Sequence, residues 1–279
     1  MSAWRAPNPV FRLLVHTGVY AVALTMVLPF VWMVVTSLKS DQEALGATFS
    51  FWPREWRWSN YLAAARQVSL GEFYVNSLLA AGLTTVLAGA HNALAGFAFA
   101  KLRFAGKRAL FAVVMATMML PAQVSFIFAY IFAGRLGFVD NIQALVVPFL
   151  ASGFGIYYMR QAISTVPDSL LEAGRLDGMG DFELFWVIVR PTAWPAVAAL
   201  SIFTFVASWN AFFWPLIVID SRQYKTLPLA VAELASGLLV QSWPVRMAAA
   251  TILTLPLVVV FVLFQRAFVR GVALTGVKE

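Results

Sequence analysis

FYVNSLLAAGLTTVLAGAHNALAGFAF, residues 73–99, runs for 27 positions without an Asp, Glu, Lys or Arg. A hydrocarbon core about 30 Å thick needs about 20 helical residues to cross, so this stretch reads as a membrane-spanning helix. Five more charge-free runs lie around it, at 13–36, 109–133, 142–159, 192–219 and 247–265. Together the six runs and their ends make up half the chain. None has the short alternating strands of a closed barrel. Helices are the other way to satisfy every backbone polar group in lipid. The expected fold is an all-α polytopic membrane protein: six transmembrane helices in a single transmembrane domain over residues 1–279.

Composition points the same way. Hydrophobic residues are 61% of the 279, charged residues 12%, and the mean hydropathy is +0.79. Soluble proteins carry roughly 25% charged residues, so composition argues against a soluble enzyme. The chain has no cysteine and two histidines, His16 and His91. Disulfides, thiolate metal sites and histidine-rich metal centres are therefore ruled out, and no metal or cofactor is expected. The net charge of +7 belongs to residues flanking the spans rather than to a nucleic-acid surface.

Six spans put both termini on one face, and Lys and Arg set which face. One face collects Arg5 and Arg12, then Lys101, Arg103, Lys107 and Arg108, then Arg160, Arg175 and Arg190, then Arg266, Arg270 and Lys278. That is 12 basic residues against 8 on the other face. The acid-free cluster at 101–108 places both termini in the cytoplasm. The first run is too long for a signal-peptide core, and Val35-Thr36-Ser37-Leu38-Lys39 offers no small-x-small cleavage pattern, so it counts as a span.

The loops limit function further. None is long enough for a catalytic domain, which takes about 50 residues or more. No G-x-x-x-x-G-K-[ST] occurs, so the chain has no P-loop for ATP. The loop at 164–191 stands apart. Pro167, Asp168 and Ser169 mark a helix start. Leu170, Leu171, Gly174 and Leu176 then form an apolar side, and Glu172, Arg175 and Asp177 a charged one. Gly178 and Gly180 permit a sharp turn, Asp181 is placed to cap a second helix, and Pro191 and Pro195 lead into the next run. On physics alone, an amphipathic linker lying on lipid headgroups stands open beside a docking element.

The spacing resembles the EAA loop of binding-protein-dependent ABC transporter permeases, E-A-A-x3-G-x9-I-x-L-P. Here the pattern runs Glu172, Ala173, Gly174, Gly178, Ile188, Arg190, Pro191, and Asp177 before the turn glycine matches the sugar-type variant. Gly174 stands for the second alanine and Arg190 for the leucine. Glycine in a helix costs about 1 kcal/mol against alanine, so Gly174 is expected to loosen it. Further resemblance runs through Phe97–Phe104, Leu136–Asn141, Phe154–Gln161 and Ser208–Leu216 to a tail at 271–279. These stretches resemble the G-type permease subunits of maltose-like carbohydrate importers. Ala211 stands where that family often has an acid. The resemblance implies three kinds of partner besides membrane lipid: a second, F-type permease subunit, two cytoplasmic ATPase subunits and an extracytoplasmic solute-binding protein. It also implies a coupling helix carrying Glu172, Ala173, Gly174, Asp177, Gly178 and Pro191, no catalysis by this chain, and a bacterial or archaeal plasma membrane.

Polar side chains inside spans face a bundle or cavity. Gln123, Ser152, Ser208, Trp209 and Asn210 are candidates for a solute pathway, with interhelical hydrogen bonding as the competing role. Asn76, Ser77, His91 and Asn92 read as packing groups. A secondary transporter or channel is the rival function. It would want intramembrane carboxylates or an ion site, and the six runs hold no charged residue. A membrane enzyme would want clustered His, Asp or Glu, and the only acid cluster is the 164–191 loop.

Overall fold

The computed structural model describes residues 9–46, 50–67, 70–235 and 242–276. Its elements are α1 (Pro9–Ser37), α2 (Asp41–Leu45), α3 (Ser59–Gln67), α4 (Leu70–Lys101), α5 (Lys107–Thr117), α6 (Ala122–Arg135), α7 (Ile142–Val146) and α8 (Gly153–Ser164). There follow α9 (Asp168–Leu176), α10 (Asp181–Leu184), α11 (Arg190–Thr192), α12 (Trp194–Trp209), α13 (Phe213–Val218), α14 (Leu227–Ala235) and α15 (Trp243–Gly276). The protein is all-α among the described residues, as its composition requires. The tail beyond Gly276, part of the family resemblance, lies outside them.

Three of the expected spans are single long helices: α1, α4 and α15. The other runs are broken. Residues 109–133 divide into α5 and α6 at Pro121, whose missing N–H and bulky ring interrupt the helical ladder. Residues 142–149 and 153–164 meet at 46°, and 181–192 and 194–209 meet at 81°. The run 192–219 breaks again between α12 and α13, at Asn210–Phe212. Among the described residues, helix length and apolarity alone support three spans, or up to five if each bent pair is one.

The chain divides into two compact units. The first comprises the chain up to Leu70 together with Glu233–Thr254. In it the carbonyls left open where α1 ends are taken up by α3. Asn60 Nδ2 donates to the Ser37 and Lys39 carbonyls at 2.8 and 2.9 Å, and the Ser37 and Tyr61 hydroxyls pair at 2.7 Å. The Lys39 ammonium is buried over the Trp32 ring, 4.6 Å from its centroid, and donates to the Ser50 carbonyl. Trp52, Trp56 and Trp58 stay exposed.

The second unit comprises Gly71–Ala232 and the chain from Leu255 onward. Small residues let its helices approach closely. A β-carbon at Gly96 would fall 2.6 Å from Met159 Cβ and 2.9 Å from the Arg160 backbone nitrogen, so α4 and α8 cross nearly backbone to backbone. Around the crossing, Phe97, Met159, Ile163, Leu171, Leu184, Phe185 and Val189 form one buried cluster, which ties α4 and α8 to the 164–191 loop. A second cluster gathers Ala80, Ala144, Leu145, Trp214 and Val218.

Candidate functional site

The 164–191 loop folds as two helical segments joined by a tight turn. α9 starts after Pro167, with Asp168 in its first turn, where a carboxylate complements the helix dipole. Lys101 at the end of α4 holds that start in place. Its Nζ donates to Asp168 Oδ1 and to the Val166 carbonyl, both at 2.6 Å, and to the Ser164 carbonyl at 3.4 Å. The lysine side chain is only 7% exposed. One ammonium thus joins the ends of α4 and α8 to the beginning of α9. The hydrogen bond from Lys101, then its charge, hold the Asp168 carboxyl below the ordinary aspartate range.

α9 closes on Gly178, whose φ of +86° lies in the left-handed region. The Gly178 N–H donates to the Arg175 carbonyl at 3.1 Å and the Met179 N–H to the Gly174 carbonyl at 2.9 Å. This is the paired 5→2 and 6→1 pattern that caps a helix on a glycine. The next helix is capped differently from expectation. Gly180 is its N-cap and Asp181 its first residue, and Glu183 accepts from the Gly180 N–H at 3.0 Å.

Gly174 has a packing role that composition alone could not supply. A β-carbon there would stand 2.6 Å from Leu184 Cδ2 and 3.0 Å from Ile188 Cδ1. The glycine lets α9 press against the following segment, with Leu171 buried beside it. On the other side Glu172, Ala173 and Asp177 are exposed, and Leu176 is 90% exposed. Arg175 pairs with Asp181 at 3.4 Å, both half exposed.

The second segment widens into a π-turn over Phe185–Val189, with the Arg190 N–H reaching back to the Phe185 carbonyl. Pro191 follows at once and cannot donate to the ladder, so the wide turn accommodates it. The 81° bend into α12 comes two residues later. Arg190 lies over the Trp186 ring at 4.6 Å.

The pathway candidates separate into two groups. Ser152 and Ser208 line one cavity of about 320 Å³, together with Thr84, Asn92, Trp214 and Thr226. The other three lie away from it. Gln123 is exposed on α6. Trp209 is 1% exposed and packs on Tyr74 and Phe205 with ring centroids 5.5 and 5.8 Å away. Asn210 is exposed and donates to the Val206 carbonyl of its own helix at 2.9 Å. Asn92, read from sequence as a packing group, is a wall of the cavity. Its signal was the four-residue spacing of Ala80, Thr84, Ala88 and Asn92 along one face of α4.

A multi-pass helical membrane protein with an exposed helix–turn–helix between bent segments is the architecture of a transporter's membrane component. The sequence agrees. Residues 92–274 match the family described as binding-protein-dependent transport system inner membrane component, and the chain belongs to that family. The lactose transport system permease protein LacG of Rhizobium radiobacter is 30% identical over 249 residues, 89% of this chain and 90% of that protein. The arabinooligosaccharides transport system permease protein AraQ of Bacillus subtilis is 29% identical over 94% of this chain and 97% of its own. The fold is shared with a chain of a bacterial ABC transporter involved in import of the acidic polysaccharide alginate. That match has a TM-score of 0.82 at 21% identity and covers 96% of this chain and 100% of the other. The protein is therefore a multi-pass inner-membrane transport component and not itself a catalyst.

Proposed function

We propose that the chain is one of two permease subunits in an ABC importer for a sugar or sugar-like solute. An extracytoplasmic binding protein delivers the solute, and two ATPase subunits on the cytoplasmic face drive import. The cargoes in the relatives' names support the solute class: lactose, arabinooligosaccharides, diacetylchitobiose and sn-glycerol 3-phosphate. In this reading the termini and the 101–108 loop face the cytoplasm, the membrane helices number six, and the 164–191 loop is the coupling element of a maltose-importer G-type subunit.

One observation carries the coupling role. α9 buries Leu171 and Gly174 against its own chain while presenting Glu172, Ala173 and Asp177, with Leu176 90% exposed, on its outer side. An apolar side chain held outward beside a carboxylate suits insertion into a groove on a partner. Glu172 pairs there with a cation. Gly178 fixes the turn and Pro191 marks where the element meets the membrane segment, so a push on α9 passes as a rigid displacement into α12. Ser152 and Ser208 face the solute.

The test is co-purification of the ATPase with Glu172→Lys, together with uptake. Losing one partner of a buried pair costs about 3–5 kcal/mol, and less at a wet rim. We expect the permease to insert normally but to retain little ATPase and to take up no solute. Docking and uptake equal to wild type would end the coupling assignment.

A further inference from the structure

The segment from Asp181 to Trp194 has two sides with opposite surroundings. Leu184, Phe185, Val189 and Ala193 are buried in the cluster that gathers α4, α8 and α9. On the other side Phe182, Trp186, Arg190 and Trp194 recur every four residues, the spacing of one helical face. The three aromatics are 64%, 43% and 53% exposed, and Arg190 is exposed as well. They touch in series. Phe182 and Trp186 meet edge to face with centroids 6.0 Å apart. The Arg190 guanidinium lies 4.6 Å from the Trp186 centroid and 5.9 Å from the Trp194 centroid.

The bend says where this face lies. α12 opens the charge-free run 192–219 and enters the hydrocarbon. Residues 181–192 meet it at 81°, so when α12 crosses the bilayer they run close to its plane. Twelve helical residues reach only about 18 Å, too little to cross. A segment lying flat where a span enters sits at the level of the headgroups, and Trp is enriched there because its ring is apolar and its N–H polar. The charge fits the same layer. Among the described residues no carboxylate pairs with Arg190. The acids on this segment stand at the end nearer α9 and are engaged: Asp181 by Arg175, Glu183 by the Gly180 N–H. A guanidinium held between two indoles, without an acid of its own, is complementary to a phosphate. It also stands where the EAA pattern has a leucine.

We propose that the face formed by Phe182, Trp186, Arg190 and Trp194 docks on lipid, with Arg190 on the headgroup of an anionic phospholipid and the aromatic rings at the acyl boundary. The inference goes beyond the coupling reading and needs only that the chain resides in a membrane. α9 presents its outer side to a partner, and the segment after it is seated on the bilayer.

Val187 is exposed beside Trp186, and the chain has no native cysteine. Val187→Cys carrying bimane therefore reports what covers this face. The full chain is placed in phosphatidylcholine nanodiscs, alone and with the subunits that co-purify with it. The quenchers are aqueous iodide and lipids bearing a nitroxide near the headgroup end or the methyl end of the acyl chain. The labelled lipids carry either a phosphatidylglycerol or a phosphatidylcholine headgroup. We expect the nitroxide near the headgroup to quench more than the one near the methyl end and more than iodide, with and without the other subunits. Labelled phosphatidylglycerol should reach half-quenching at about a five-fold lower mole fraction than labelled phosphatidylcholine, the worth of one cation at an anionic surface. Arg190→Lys should keep that preference and Arg190→Gln lose it, while quenching by phosphatidylcholine stays the same in both and shows the segment still in place. Dominant quenching by iodide would put the face in water and overturn the proposal. Loss of lipid quenching when the other subunits are present would make it a protein interface and overturn it equally. The same half-quenching fraction for both headgroups in the Arg190 protein, or a preference that survives Arg190→Gln, would overturn the role of Arg190. None of these results bears on whether Glu172 docks an ATPase.

Discussion

Replacing Gly178 separates backbone conformation from packing, because nothing lies within 4 Å of where its β-carbon would be. The whole effect of Gly178→Val must therefore come from the φ of +86°. An L-residue held in the left-handed region loses about 1–2 kcal/mol, and a β-branched one more. If the turn rearranges to escape, it gives up the two capping bonds from the Gly178 and Met179 N–H groups, each worth about 1 kcal/mol net. Either route costs about 2–3 kcal/mol locally. A loss of 1–2 kcal/mol already changes an equilibrium ratio some 5–30-fold, so the ratio of α9 in its presented geometry to α9 outside it should fall by at least that factor. Gly178→Asn is the control, since asparagine tolerates the left-handed region. The assay is ATPase co-purification and uptake for both variants at matched membrane insertion. Asn should retain most of both and Val little of either. Equal behaviour of the two variants, in either direction, would refute the view that this turn geometry transmits function.

Trp209→Ala should act as a core truncation, destabilising the purified complex by about 3–5 kcal/mol. Asn210→Leu removes a bond within one helix and should leave thermal stability nearly unchanged, and differential scanning fluorimetry distinguishes them. Lys101→Met should loosen the α4–α8–α9 junction, read as faster proteolysis within 164–191, whereas Asp168→Asn, which keeps the two carbonyl acceptors, should do so less. The Asp168 carboxyl is depressed, so its contribution is complete above the ordinary aspartate range and disappears as pH falls through the lowered value. Limited proteolysis against pH should show the wild-type junction opening only at strongly acid pH, and Asp168→Asn flat across that window. Lys107→Cys should resist impermeant thiol reagents in intact cells, and external labelling would reverse the assigned orientation.

The sequence made α1, α4 and α15 legible because an uninterrupted apolar run and an uninterrupted helix coincide there. It hid the breaks at Pro121, at Leu150–Ser152 and at Asn210–Phe212, because hydropathy averages are blind to continuity and proline is tolerated in membrane helices. The spacing from Glu172 to Pro191 announced the loop. Why 174 is a glycine was not legible, since the reason is the approach of Leu184 and Ile188 in space. Lys101 counted only as one of four basic charges in its loop until its three acceptors were seen. Trp209 and Asn210 shared the vocabulary of sugar binding with Ser208, but helical rotation turns only Ser208 toward the cavity.

Only 6% of the apolar window of α1 is buried inside the protein. Nearly all its side-chain contacts must come from lipid or from neighbouring subunits. Biogenesis follows from this. A segment with so little internal cover, made before α4 and α15, can settle in the bilayer while they are still being synthesised. α4 has 39% of its window covered and carries the buried polar Asn92, and must wait for α8 and α12 before its inner face has partners. Damage to α1 should therefore surface as failed targeting or failed subunit pairing, and damage to α4 as a misfolded permease already in the membrane.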